Sequence, residues 1–135
     1  MGLGVWQFEM PQKHEWINAN HRYGHWAQKA KLTKAWREQA ETLAILNGGY
    51  FTKKVRITIT VHKTTNRSYD VNNLQPTAKA IVDGLVSGGV LYDDSNDYVE
   101  GPDMRPGEKR PEACVVVRVE QLPPRDERAF TPVPF

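Results

Sequence analysis

Val55-Arg56-Ile57-Thr58-Ile59-Thr60-Val61-His62, led in by Lys54, alternates without a break. Val55, Ile57, Ile59 and Val61 fall on one side of a pleated backbone, and Arg56, Thr58, Thr60 and His62 fall on the other. A period of two built largely from β-branched residues is the mark of a half-buried strand. Such a strand needs a covering layer on its apolar side, and the segments around it supply one.

Upstream, the period changes to that of a helix. From about Gln28 to Leu46, the residues Leu32, Trp36, Ala40, Leu43 and Ala44 recur at spacings of three and four, and Asn47-Gly48-Gly49 stops the pattern. Before it, Glu15 to Gly24 is a polar loop with Asn18 and Asn20, and Val5 to Met10 reads as a short first strand. Downstream, Thr64 to Tyr69 is a polar connection, and a second helix is expected from about Leu74 to Ser87. Asn72 or Asn73 would cap that helix, and Pro76 is tolerable only in its first turn. Ala78, Ile81, Val82 and Leu85 make its buried stripe, and Gly88-Gly89 ends it. Val90-Leu91 is an apolar stub leading to Asp93-Asp94. Tyr98-Val99 begins another strand, Asp103 to Pro111 reads as a charged turn, and Cys114 to Val119 is a last strand, central because it is apolar on both faces. The order β-α-β-α-(β)-β predicts an α/β or α+β sandwich with a mixed sheet and two main helices. One domain over residues 1–122 is expected, with 123–135, which holds four prolines, as a mobile tail.

Composition narrows the class. A chain of 135 residues can bury a core without staples. Cys114, the single cysteine, has no intrachain partner and reads as a packed small hydrophobe, which fits a reducing compartment such as the cytoplasm. No apolar run approaches the roughly 20 residues of a membrane span. The first residues lack the basic-then-apolar order of a secretory leader, and Gly2 lacks the downstream hydroxyl residue of a myristoylation signal. The expected protein is soluble and cytoplasmic.

The net charge is only +2, but it is unevenly placed. Arg22, Lys29, Lys31, Lys34 and Arg37 follow one another with His21 and His25 and no acid between, while acids concentrate from Asp93 to Asp103. A basic surface beside an acidic cluster suits an enzyme that holds phosphates with one and a cation with the other. Asp70 precedes the second helix. Asn72, Pro76, Lys79 and Asp83 follow at offsets of zero, four, seven and eleven, so the last three share one face with Asn72 at its entrance. Asp93 and Asp94 lie on a short connection expected to fold back toward the start of that helix. Oxygen ligands alone favour Mg²⁺ or Mn²⁺ over zinc. His14, His21, His25 and His62 lack metal-site spacing and read as surface or nucleic-acid-facing residues. Read singly, Asp70 is a cap or turn residue, Asp93-Asp94 a solvated turn, and Lys79 with Asp83 a surface pair worth a few tenths of a kcal/mol.

The set Arg67-Ser68-Tyr69-Asp70-Val71-Asn72-Asn73-Leu74-Gln75, then Lys79, Asp83-Gly84-Leu85, Gly89-Val90-Leu91 and Asp93-Asp94, resembles the RusA family of Holliday junction resolvases, whose pattern is Asp-x-Asp-Asn-Leu, a helix Lys, Asp-x-Leu, Gly and Asp-Asp. The likeness is specific from Arg67 to Asp94 and weaker over the rest of residues 5–120. It implies a homodimeric, Mg²⁺-dependent endonuclease, active with Mn²⁺ as an alternative ion, that resolves four-way DNA junctions in recombination and repair by paired nicks. It implies Asp70, Asn72, Asp93 and Asp94 as metal ligands, Asp70, Lys79 and Asp94 as catalytic residues, and Arg22, Lys29, Lys31, Lys34 and Arg67 as DNA contacts.

Two departures stand out. Lys79 falls about one helical turn later than in the family pattern, with Pro76-Thr77 in the interval, a spacing similar to that of phage- or prophage-borne relatives. Asn72 stands where the family has an Asp, which removes one charge from the implied ligand set. Either Asn72 serves as a neutral ligand beside Asp70, Asp93 and Asp94, or metal binding is weakened and the chain binds branched DNA without cutting it. Among the aromatics, Trp36 is expected in the core. Trp16, Tyr23 and Trp26 either stack on unpaired bases or pin the loop or a dimer contact.

Overall fold

The computed structural model describes residues 4–22, 24 and 26–123. Its framework is β1 (Val5–Pro11), α1 (Trp26–Asn47), β2 (Val55–His62), a 3₁₀ turn (Val71–Leu74) running straight into α2 (Gln75–Ser87), β3 (Val99–Pro106) and β4 (Cys114–Gln121). The four strands form one mixed sheet in the order β1-β4-β2-β3. β4 runs antiparallel to both β1 and β2, and β3 is parallel to β2. The fold is α+β, a four-stranded mixed sheet with two helices in one small domain.

β2 behaves as its alternation demands. Val55, Ile57, Ile59 and Val61 are fully buried, and their partners Val115, Val117 and Val119 on β4 bury the same face. On β1, Phe8 and Met10 join them opposite Val117 and Val115. Over this face pack Trp36, Ala40 and Ala44 of α1 and Ala78, Ile81 and Leu85 of α2, in one continuous core. β4 is central as expected, although the reason differs. It is not buried on both faces, since Val116 is half-buried and Arg118 exposed; its central place comes from pairing on both edges.

The two helices meet at unusually close range. A Cβ on Gly84 would collide with the Arg37 carbonyl oxygen and would lie 2.7 Å from the Ala40 Cβ. Only glycine lets the α1 backbone approach there. This contact fixes Arg37 beside the outer face of α2, which matters for the site. Gly89, at φ +83°, supplies the left-handed residue after the helix end.

Three local expectations are corrected. Asn72 and Asn73 do not cap the second helix; they lie inside the 3₁₀ turn, and Asp70 is its cap, accepting the Asn72 N–H at 3.0 Å. The stretch Asp103 to Pro111 is not all turn, because its first four residues complete β3. β3 lies at the sheet edge, where Pro102 and Pro106 do not cost a central ladder its bonds. His62 is not a surface residue. The connection after β3 laps over it, with Nδ1 donating to the Glu108 carbonyl at 2.8 Å, and only 6% of the residue stays exposed. The proposed tail from 124 onward lies outside the described residues.

Candidate functional site

The outer face of α2 carries the chemistry. Lys79 and Asp83 stand one turn apart on that face, and Lys79 Nζ lies 3.8 Å from Asp83 Oδ1. The connection after α2 brings a third group. Val90 is fully buried and its N–H bonds back to the Leu85 carbonyl, while Phe51 pairs with Leu91 as an isolated parallel bridge. These anchors turn the chain back along the helix, and Asp94 Oδ2 comes within 3.8 Å of the same Lys79 nitrogen. The Asp93 carboxylate braces the turn by accepting the Asp94 N–H at 2.8 Å.

Lys79 therefore stands between two carboxylates that are also close to each other. Burial pushes the Asp83 carboxyl above its ordinary range; the Lys79 ammonium pulls it down, and Asp94 raises it again, as a hydrogen-bonding neighbour and as a second negative charge. Arg37, held by the Gly84 contact, adds a weaker pull downward. The ion pairs are long and half-exposed, with Lys79 72% accessible, so each contributes at most about 1 kcal/mol to stability. Their interest is positional: two facing acids, an ammonium between them and a guanidinium alongside.

Asp70 and Asn72 form a separate region at the entrance of the helix. Asp70 is exposed, and one of its oxygens is already engaged by the Asn72 N–H. Asn72 is exposed too. The rise of the helix sets Asn72 about 10 Å along the axis from Lys79. The expected ligands Asp70, Asn72, Asp93 and Asp94 are thus not all gathered at one point. Among the described residues, no three His, Cys, Asp or Glu side chains come together closely enough to hold a metal ion. Asp83 and Asp94 are the best-placed pair. Two oxygen donors suit Mg²⁺, which commonly takes one or two carboxylates and completes its shell with water and substrate phosphate. Local spacing makes Asp83 one half of a surface pair with Lys79; its approach to Asp94 depends on a return of the chain anchored by Val90 and Leu91.

The interval Pro76-Thr77 has a structural reason. Thr77 is buried, its hydroxyl oxygen accepting the Ile17 N–H at 2.8 Å and its hydroxyl donating to the Ile17 carbonyl at 3.1 Å. Ala19 N–H bonds to the Asn73 carbonyl nearby. This side chain ties the polar loop to the start of α2 and seats Ile17 in the core. Trp16 serves the same end: its ring stacks on Trp36 at 5.5 Å, and Trp36 Nε1 donates to the Glu15 carbonyl. Trp16 therefore pins the loop, while Trp26 at the start of α1 is 77% exposed. Tyr23 and His25 lie outside the described residues.

The basic residues do not form one surface. Lys29, Lys34 and Arg37 line one depression on α1 with Trp26, Ala30 and Thr33. Lys31 points to a different hollow, shared with His14 and His21. Arg22 and Arg67 are exposed on the two loops flanking the start of α2. Lys63 Nζ stands 3.8 Å above the ring of Tyr69, the residue before Asp70; burial lowers the Lys63 pKa and raises that of Tyr69.

No helix among the described residues is long and apolar enough to cross a membrane. No protein-family model and no curated protein matches the chain, so the case for what it does rests on its own residues.

Proposed function

We propose that the protein is a Mg²⁺-dependent endodeoxyribonuclease of the RusA type, which cuts four-way DNA junctions with the outer face of α2 as its active surface. The observation that carries this reading is the placement of Lys79 at 3.8 Å from both Asp83 and Asp94, beside the basic face of α1. A structural salt bridge needs one acid; two acids around one exposed lysine leave a place where a cation and a phosphate can take over the charges.

In this reading Asp94 and Asp83 would hold Mg²⁺, with Mn²⁺ as a substitute, while Asp70 and Asn72, about 10 Å or more along the helix, stand too far away to ligate the same ion. The bound cation would polarise a phosphoryl oxygen and lower the pKa of the attacking water. The chain's own groups do the rest. Lys79 leaves its carboxylate partners for the phosphate and stabilises the negative charge that grows on the nonbridging oxygens. The attacking water, made acidic by the cation, gives its proton to bulk water, since Asp83 is engaged as a ligand. Arg37, Lys29, Lys34, Arg22 and Arg67 hold the flanking phosphates. Water attacks phosphorus in line, the bond to the 3′ oxygen breaks, and the ends left are a 5′-phosphate and a 3′-hydroxyl. Two copies related by a two-fold axis would nick a junction symmetrically.

A second reading has its own support. Lys79 satisfies both carboxylates, and Asn72 takes a charge from the implied ligand set. A chain locked in that arrangement would bind branched DNA and not cut it. The test is incubation with an end-labelled synthetic four-way junction, with and without Mg²⁺ or Mn²⁺. Symmetric, metal-dependent nicks support the enzyme. A mobility shift without nicks in either metal overturns it in favour of the binder.

A further inference from the structure

We infer that Trp26 and the basic stripe behind it form a track for an unpaired DNA strand, with the indole as a stacking platform for one base and the cations leading the backbone to the Asp83–Asp94 pair. This deepens the nuclease reading and rests on it for the identity of the nucleic acid. Trp26, Lys29, Ala30, Thr33, Lys34 and Arg37 line one shallow depression on α1. Their offsets of zero, three, four, seven, eight and eleven place them along one face of the helix. Nothing acidic occurs in the sequence from Trp26 to Arg37, and the first turn of α1 carries no acid.

The two ends of the stripe differ in kind. At one end Trp26 is 77% exposed, the most accessible of the large apolar side chains among the described residues. A lone exposed aromatic is ordinary. An exposed indole in line with three cations is not a scattered case, because stacking platforms beside a basic groove are how proteins hold single strands. At the other end the Arg37 backbone packs directly on Gly84, the residue after Asp83 on α2, so the stripe ends beside the acids. From Trp26 to Arg37 the helix rises about 16 Å, which matches four to five nucleotides at the duplex spacing and fewer in an extended strand. A perfectly paired duplex offers cations its phosphates but offers the indole no free base face. The track therefore favours strands that are open near the cut: the crossing point of a junction, a flap or a fork.

The experiment separates binding from cutting. Binding of an oligothymidylate of about twelve nucleotides and of a blunt hairpin duplex is measured by fluorescence anisotropy, in chelator and at low salt, for the wild type, Trp26→Ala and Trp26→Tyr. Trp26→Ala is expected to bind the single strand about tenfold or more weakly and the duplex within about twofold of wild type, while Trp26→Tyr retains most of the single-strand affinity. In the wild type, the single strand quenches tryptophan emission, and that part of the quenching disappears in Trp26→Ala. Unchanged single-strand affinity in Trp26→Ala overturns the inference, as does equal weakening on both ligands. If junction nicking fails while the Trp26 effect stands, the nuclease reading alone falls. If nicking stands and Trp26→Ala binds as wild type, the track alone falls.

Discussion

Two regions of α2 carry the same residue types under different constraints. At the helix entrance, Asp70 spends an oxygen on the Asn72 N–H, so its carboxylate is part of the backbone architecture. Further along, Asp83 and Asp94 have Lys79 as a shared partner, and the helix gains only a few tenths of a kcal/mol from the Lys79–Asp83 pair. The entrance is built by local chemistry and would persist in any protein with that turn. The cluster is built by tertiary return of the chain, and burial holds one of its acids above its ordinary proton affinity against the pull of Lys79.

The largest expected effect follows from that contrast. Asp94→Asn keeps the size of the side chain and removes one of the two facing charges. Metal-dependent nicking of a labelled junction is expected to fall by about 100-fold or more, with the unfolding temperature essentially unchanged. A variant that still nicks at the wild-type rate would move the chemistry away from the cluster.

Next comes the contact that positions Arg37. Gly84→Ala sets a methyl group against the Arg37 carbonyl oxygen and the Ala40 Cβ, which is overpacking against backbone. A loss of about 1–3 kcal/mol is expected, since the helices must separate to relieve it. Denaturant titration measures the loss; stability within a few tenths of a kcal/mol of wild type would show that the crossing can open freely.

Much of this is legible in the sequence. The alternation of Val55 to Val61 marks a half-buried strand, and the stripes of Trp36, Ala40 and Ala44 and of Ala78, Ile81 and Leu85 mark both helices, because burial on one face imposes a period. What escaped was decided by partners distant in sequence. His62 looks solvent-facing by alternation, yet a connection some 45 residues later covers it. Ile17 sits in a polar run, and its burial depends on the Thr77 hydroxyl, which takes up both its backbone groups. Asp83 joins Asp94 only because Val90 and Leu91 are tied into the core and reverse the chain.

A smaller effect separates the structural and chemical parts of Asp70. Asp70→Ala removes the cap oxygen and is expected to cost about 1 kcal/mol, a drop of a few degrees in unfolding temperature. Asp70→Asn keeps an oxygen for the Asn72 N–H and is expected to melt within about a degree or two of wild type. If the Asp70 charge also takes part at the helix entrance in holding the substrate's hydrated cations, both variants nick poorly although only one is destabilised. If Asp70 is a cap alone, Asp70→Asn nicks as the wild type does, and the entrance and the cluster are functionally separate.

The smallest effect is the pH signature of Asp83. Its folded-state pKa is raised, chiefly by burial, above the value it has in the unfolded chain. The folded state therefore binds this proton more tightly than the unfolded state does, and stability falls as pH rises from the ordinary carboxylate range through the raised value. Above that value the loss is complete and the penalty is constant. Asp83→Asn removes the titration, so its unfolding temperature is expected to gain on wild type across this acid range and to hold that gain at neutral pH. The side chain is 37% accessible, so solvent screening keeps the gain to no more than about a few degrees. Parallel melting curves that keep a constant offset from pH 3 to 7 would mean that Lys79 and Arg37 fully offset the burial of Asp83. The cluster would then be an ordinary surface ion pair, with no more claim to chemistry than the entrance has.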